Sequence, residues 1–297
     1  MTKMNHQCDD GSCELDVLGS SFLKDLIPFT KTYAYDGELQ LFDLIDSLTS
    51  NATEYFLLYS GEESIETIIN TQTKPIIHIS SFDAAEGLLL VKMPSISHGV
   101  AADAVDELIK LQLMSMGLRN AIHGFPNSTI VGTTPTRAKE PDYGWSPRRT
   151  PRQPGPSQPL RPSIVLEVTY TENDKKLNTD VRYWLSPNDG NVKMCLTLRI
   201  DRKNNEIRME SWTRREADDN NNNRAGIHRN QVIYARMING RSVVTGDHPF
   251  RIPFDSLMLR PIDPSRAAEK DLLFSREDLE GVAEYIWDAE GEYNSFR

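Results

Sequence analysis

Cysteine is scarce in this sequence, and long apolar runs are missing. Its three cysteines, Cys8, Cys13 and Cys195, do not form the even, closely spaced set of a disulfide framework. Cys8 and Cys13 have no second pair of ligands at a matching spacing, which argues against a zinc site. Cys195 stands in an alternating apolar run and reads as a core thiol. This usage points to a reducing, intracellular compartment, cytoplasmic or nuclear. No window approaches about 18 uncharged apolar residues, so no membrane-spanning helix and no membrane partner are expected. The opening MTKMNHQCDDGSCELD is acidic and has no apolar core, unlike a secretory signal. The phosphate-loop, dinucleotide-binding, nucleophile-elbow and H-E-x-x-H patterns are all absent. His98, His123, His228 and His248 are scattered, without metal-ligand spacing.

Arginine is missing from the first 110 residues, which hold 6 lysines against 18 carboxylates. Residues 111–261 reverse this, with 23 basic against 15 acidic side chains, and residues 262–297 are acidic again. The overall charge of −10 therefore conceals a basic middle between acidic ends. Such asymmetry can mark an anionic partner, or a basic face balanced by acidic faces of the same fold. With 38% hydrophobic residues in 297, the chain can bury a core, as one large or two small domains.

Residues 1–20 read as a flexible tail, 21–82 as an N-terminal extension, 83–290 as the main domain and 291–297 as a second tail. KPIIHISSF (74–82) and STIVG (128–132) read as short strands. Between them His98 to Leu118 reads as a helix, with Val100, Ala104, Leu108 and Leu111 on one face and Gly117 at its end. Residues 146–162, SPRRTPRQPGPSQPLRP, hold too much proline for a helix or central strand, and form a basic loop carrying Arg148, Arg149, Arg152 and Arg161. SIVLEVTY (163–170) follows as a buried strand. KKLNTDVRYWL (175–185) is a helix, NDG (188–190) a turn, and VKMCLTLRI (192–200) with NNEIRMESW (204–212) a strand pair. Further strands are expected in QVIYARMI, RSVVTG and FRIPFDSLML, and Ser275 with Asp278 forms a capping box for a last helix packing Leu279, Val282 and Ile286.

Glu167 is chemically out of place, because its neighbours from Ile164 to Val168 are apolar. A buried carboxylate needs a partner such as an arginine, a metal or a strand-end position. Asp142, after Pro141, stands on the approach to the basic loop. Together the two place hard oxygen ligands on one edge of a sheet, which suits Mg²⁺ and metal-assisted phosphodiester cleavage.

The order of helix, KEPD (139–142), WSP, PSIVLEV (162–168), helix and VKMCLTLRI resembles the PD-(D/E)XK, or restriction-endonuclease-like, superfamily. It is most similar to an uncharacterised branch common in fungal genomes. The resemblance spans roughly residues 83–290 and implies an α/β (α+β) fold, a mixed central sheet flanked by helices. It identifies Pro141–Asp142 with the PD motif and Glu167 with the acidic residue of the second motif, making Asp142 and Glu167 the catalytic and Mg²⁺-binding pair. Two positions depart from the pattern. Thr169 stands where the family has its lysine, and Gly99 stands where an acidic residue is expected, although Asp103, Asp106 and Glu107 follow on the same helix. Lys176 or Lys175 is the nearest substitute for the lysine, and Lys193 a more distant one. Three readings follow: a Mg²⁺-dependent nuclease acting on DNA or RNA, with Arg148, Arg149, Arg152 and Arg161 on phosphates; a catalytically inactive nucleic-acid-binding module of the same fold; and a protein-interaction scaffold.

Overall fold

In the computed structural model the described residues are 14–15, 22–49, 53–61, 65, 68, 78–93, 96–126, 129–131, 136–148, 161–170, 174–215 and 226–295. In chain order these form β1 (Glu14–Leu15), a 3-10 helix (Phe22–Phe29), β2 (Thr32–Ala34), α1 (Glu38–Thr49), β3 (Tyr55–Tyr59), β4 (His78–Asp83) and β5 (Leu88–Lys92). The chain continues through α2 (Ile96–Ser115), β6 (Ile122–Gly124), β7 (Ile130–Val131), β8 (Arg137–Lys139), β9 (Tyr143–Pro147), β10 (Ile164–Thr169) and α3 (Asp174–Leu185). It ends with β11 (Met194–Asp201), β12 (Glu206–Arg215), β13 (Gly226–Ile238), β14 (Arg241–Gly246), β15 (Phe250–Ile252), α4 (Phe254–Met258), β16 (Leu272–Phe274) and α5 (Arg276–Ser295). The fold is mixed α and β, as expected. No helix among the described residues is long and apolar enough to cross a membrane.

The largest sheet has eight strands, in the order β1-β13-β12-β11-β10-β9-β6 with β14 beside β13. β9 runs antiparallel to β10, and β10 runs parallel to β11 through the α3 crossover. One face of β10 presents Ile164, Leu166 and Val168 to a core shared with α2 and α5; the other presents Val165 towards α3. A second sheet of six strands, β2-β3-β5-β4-β8-β7, lies on the α3 side. Its strands come from both sides of residue 83, because β7 and β8 join β4 there. Leu57, Leu88 and Leu90 face inward, against α3 and the 3-10 helix. Phe56, Leu58, Leu89 and Val91 face the other way, against Leu41 and Leu48 of α1. Strand alternation thus turns Lys92, two residues after Leu90, towards the main sheet.

Several local signals act as their chemistry requires. Ser275 and Asp278 cap α5 reciprocally, each side chain taking the other's backbone N–H at 3.1 and 2.8 Å. Gly190 is needed in the turn after α3, since a Cβ there would lie 2.6 Å from Trp184 Cε3 and 2.7 Å from its Cα. Cys195 is fully buried on β11. β1 falls within the expected tail and pairs with β13, and α5 runs on to Ser295. Pro253 stops FRIPFDSLML as a strand at Ile252, and the rest turns into α4.

The buried face of α2 is a correction. The side chains pressed into the core are Ala101, Val105, Ile109 and Leu113, while Val100, Ala104 and Leu108 lie at its margin and Leu111 is exposed. Two apolar stripes run side by side on this helix. The sheet and α5 pack against the stripe of Ala101, Val105, Ile109 and Leu113. Ile109→Ala should cost about 2–5 kcal/mol in denaturant unfolding, and Leu111→Ala within about 0.5 kcal/mol. A larger loss for the Leu111 variant would restore the other face.

Candidate active site

The ladder between β9 and β10 stops where Leu166 faces Tyr143. The amide of Val168 therefore has no strand partner on that edge, and Asp142 supplies one: Val168 N–H donates to Asp142 Oδ2 at 2.6 Å. The other oxygen, Oδ1, accepts from Lys92 Nζ at 2.5 Å, with both side chains less than a tenth exposed. Lys92 Nζ also lies 3.5 Å from the Val168 carbonyl. Burial pushes the Asp142 carboxyl up, but the charge of Lys92, with His98 and the Val168 amide, holds it well below the usual carboxylate range.

Glu167 points to the opposite face of β10 from Leu166, towards α3. Its Oε1 accepts from Trp184 Nε1 at 2.6 Å and lies 3.2 Å from Lys139 Nζ. Lys139 Nζ is also 3.0 Å from Asp180 Oδ1, and Asp180 Oδ2 accepts from Lys176 Nζ at 2.6 Å, one turn earlier on α3. All four ionisable groups are nearly inaccessible. Burial, only partly opposed by Lys139 and reinforced by the charges of Asp180 and Asp142, pushes the Glu167 carboxyl up to about 7. Burial would lower Lys176, but the charges of Asp180 and Glu167 raise it well above an ordinary lysine. Burial would raise Asp180, and Lys139 with Lys176 lower it.

A third group adjoins these. Glu54, just before β3, accepts from Thr169 Oγ1 and from Tyr170 N–H, both at 3.1 Å, and its Oε1 lies 3.3 Å from His98 Nε2. Burial raises Glu54, yet His98 and Lys92 bring it below its ordinary value; burial and Lys92 push His98 down. Thr169 thus helps hold a carboxylate from the segment just before β3.

Of the residues singled out in the sequence, Asp142, Glu167 and Lys176 fall into one electrostatic network. Lys175 points away, over the Phe29 ring at 5.4 Å, and Lys193 is exposed. Arg161 donates to the backbone carbonyls of Val131 and Asp189 at 2.6 and 3.2 Å. Arg148 is exposed, while Arg149 and Arg152 lie outside the described residues. Asp106 of α2 accepts from Tyr143 Oη and Trp145 Nε1 at 3.0 and 2.9 Å, and pairs with Lys110. Sequence reasoning missed Lys92, Lys139, Asp180, His98 and Glu54. Lys139 opens the KEPD segment, and Asp180 is spaced four residues from Lys176, so two of the five were within reach. Among the described residues, no group of three or more His, Cys, Asp and Glu side chains is arranged to hold a metal ion.

Comparison with known protein families gave no match, and comparison with curated proteins gave none either.

The Glu167 value has a consequence for pH. The folded chain holds its proton up to about 7, whereas the ordinary value is 4.5. Between those limits the folded state binds more protons than the unfolded one. The stability Glu167 contributes is therefore full below 4.5 and lost as pH rises through about 7. His98 acts oppositely over part of that window, so the variant must be compared with its parent. Glu167→Gln keeps an acceptor for Trp184 and removes the titration. Its stability should gain on the parent between pH 5 and 7 by at most about 1.4 kcal/mol per unit. A difference that does not change with pH contradicts the assignment.

Proposed function

We propose that this chain is a PD-(D/E)XK-like protein whose catalytic position carries no hydrolytic chemistry and whose role is to bind nucleic acid through the basic proline-rich segment. The observation that carries this reading is the closed charge network. Asp142, just before β9, and Glu167 of β10 share one network with Lys176, yet both oxygens of Asp142 are taken by Lys92 and Val168, and Oε1 of Glu167 by Trp184 and Lys139. The element order supports the resemblance: α2, then the Asp immediately before β9, β10 with the Glu, the α3 crossover and parallel β11. Fold alone does not assign an activity, so the weight rests on the site.

A hydrolytic site must admit both a phosphodiester and an attacking water to its carboxylates. Here the second sheet and the 3-10 helix cover that approach. Arg148, with Arg149 and Arg152 next in sequence, supplies cationic groups suited to backbone phosphates of DNA or RNA. Arg161, held on two carbonyls, fixes the end of that segment. An intracellular location, cytoplasmic or nuclear, belongs to the same proposal and fits the free thiol of Cys195.

The test has two parts. With Mg²⁺ or Mn²⁺ the chain should leave plasmid DNA and single-stranded RNA intact. Its affinity for a labelled duplex should fall steeply with salt, and Arg148→Ala, Arg149→Ala and Arg152→Ala together should lower that slope by about 0.9 for each phosphate the variant no longer neutralises. Cleavage abolished by Asp142→Asn would establish the nuclease reading instead. Absence of salt-dependent binding at moderate ionic strength would leave the interaction-scaffold reading.

A further inference from the structure

The face of the main sheet that carries Glu167 continues across β11, β12 and β13. Strand alternation puts Arg199, Arg208 and Tyr234 on this face, because Leu198, Met209 and Ile233 beside them point into the opposite core. The register sets Arg199 directly opposite Arg208, and Arg208 opposite Tyr234. Like charges facing each other across a ladder destabilise it, so two guanidiniums in this position call for an anion between them.

That anion is one oxygen of one carboxylate. Arg199 Nη1 and Arg208 Nη2 both donate to Asp174 Oδ1, at 2.8 and 3.0 Å. Asp174 opens α3, and its side chain is 49% exposed, whereas those of Arg199 and Arg208 are 15% and 21% exposed. The acidic residues beside them have partners of their own. Asp201 accepts from the amides of Lys203 and Asn204 and from Asn204 Nδ2. Glu206 accepts from Arg236 Nε at 2.6 Å, and Glu210 from Arg229 Nη1 at 2.9 Å. Arg208 Nε is buried with no hydrogen-bond partner among the described residues, Glu210 Oε1 standing 3.6 Å off. Two cations therefore share a single negative charge.

We propose that Arg199 and Arg208 form a binding site for a phosphate dianion, as free phosphate or as a phosphate monoester, and that the Asp174 carboxylate holds the place of that ligand and competes with it. A guanidinium is a planar fork suited to two parallel contacts with an oxyanion, and Asp174 takes one hydrogen bond from each. A phosphate monoester carries nearly two negative charges at neutral pH and three acceptor oxygens. It balances both guanidiniums and offers each an oxygen of its own. The first turn of α3 favours negative charge at the same place. The half-exposed Asp174 can swing into water and give way, while the two better-covered arginines stay. The inference depends neither on the PD-(D/E)XK-like reading nor on nucleic-acid binding through the proline-rich segment.

The experiment is calorimetric titration of the full chain with inorganic phosphate, and separately with glycerol phosphate, at neutral pH and with ionic strength held constant by chloride. The parent should bind one phosphate weakly and saturably. Asp174→Asn removes the competing charge and keeps the shape, and should tighten binding about tenfold, the equivalent of one charge-assisted contact. Arg199→Gln or Arg208→Gln added to Asp174→Asn should abolish the gain. The triple variant Arg148→Ala, Arg149→Ala and Arg152→Ala should bind phosphate as the parent does, so failure of the nucleic-acid reading is told apart from failure of this one. Glycerol phosphate binding as tightly as phosphate identifies a monoester ligand, and its exclusion identifies free phosphate; both uphold the site. No saturable binding to Asp174→Asn overturns the proposal, as does an affinity that Asp174→Asn leaves unchanged or weakens. Should the glutamine variants fail to fold, the comparison of Asp174→Asn with the parent decides alone.

Discussion

The ion pair between Lys92 and Asp142 joins the two larger sheets of the described residues at a buried point where no neighbouring strand pairs the Val168 amide. The carboxylate belongs to the turn before β9, and the ammonium to the last residue of β5. Taking both charges out of water is expensive, and their attraction offsets that cost only when geometry and remaining hydrogen bonds are complete. Here they are: one carboxylate oxygen meets the ammonium and the other meets the Val168 amide that the β9–β10 ladder leaves over. The rest of the site follows from this arrangement. With Lys92 fixed, its charge helps depress Glu54 and His98. With Asp142 ionised, its charge helps raise the Glu167 carboxyl behind it.

The network is therefore a set of graded pairs and not a uniform salt-bridge cluster. Asp142 and Asp180 are held ionised by direct ammonium contacts, while Glu167 shares Lys139 with Asp180 and rises towards neutrality. The carboxylates tie α3, β8 and β10 together and hold the second sheet against the first. The bulk acidity of the first 110 residues looks like an argument about partners. Part of it is structural, because Glu54 from that segment is buried against His98, Thr169 and Tyr170.

Much of the main sheet was legible in the sequence, because its signals are local. SIVLEVTY carries the length and branching of a buried strand, the α3 pattern places Leu177, Val181, Trp184 and Leu185 inward, and the Ser275–Asp278 box marks the start of α5. Glu167 announced itself as a buried carboxylate needing a partner. Its partners proved to be a lysine and an indole, from strand β8 and helix α3, and not an arginine. What could not be read was long-range. Lys92 and Asp142 are 50 residues apart, and only the packing of one sheet on the other brings them together. The buried face of α2 differs from the expected one for a related reason: two apolar stripes compete, and the choice is made by the elements that pack on it. Lys92 closes a run of four buried apolar residues on β5, which was the one available hint that a lysine faces inward.

The most direct measurement of this account is a double-mutant cycle on Lys92→Met and Asp142→Asn, with unfolding free energies taken from denaturant titration. Either single change strands a buried partner and should cost about 3–5 kcal/mol. The double variant should cost markedly less than the sum, with a coupling of roughly 2–3 kcal/mol. Additivity within about 0.5 kcal/mol would mean that the two charges do not depend on one another, and would contradict the claim that this pair locks the second sheet onto the first.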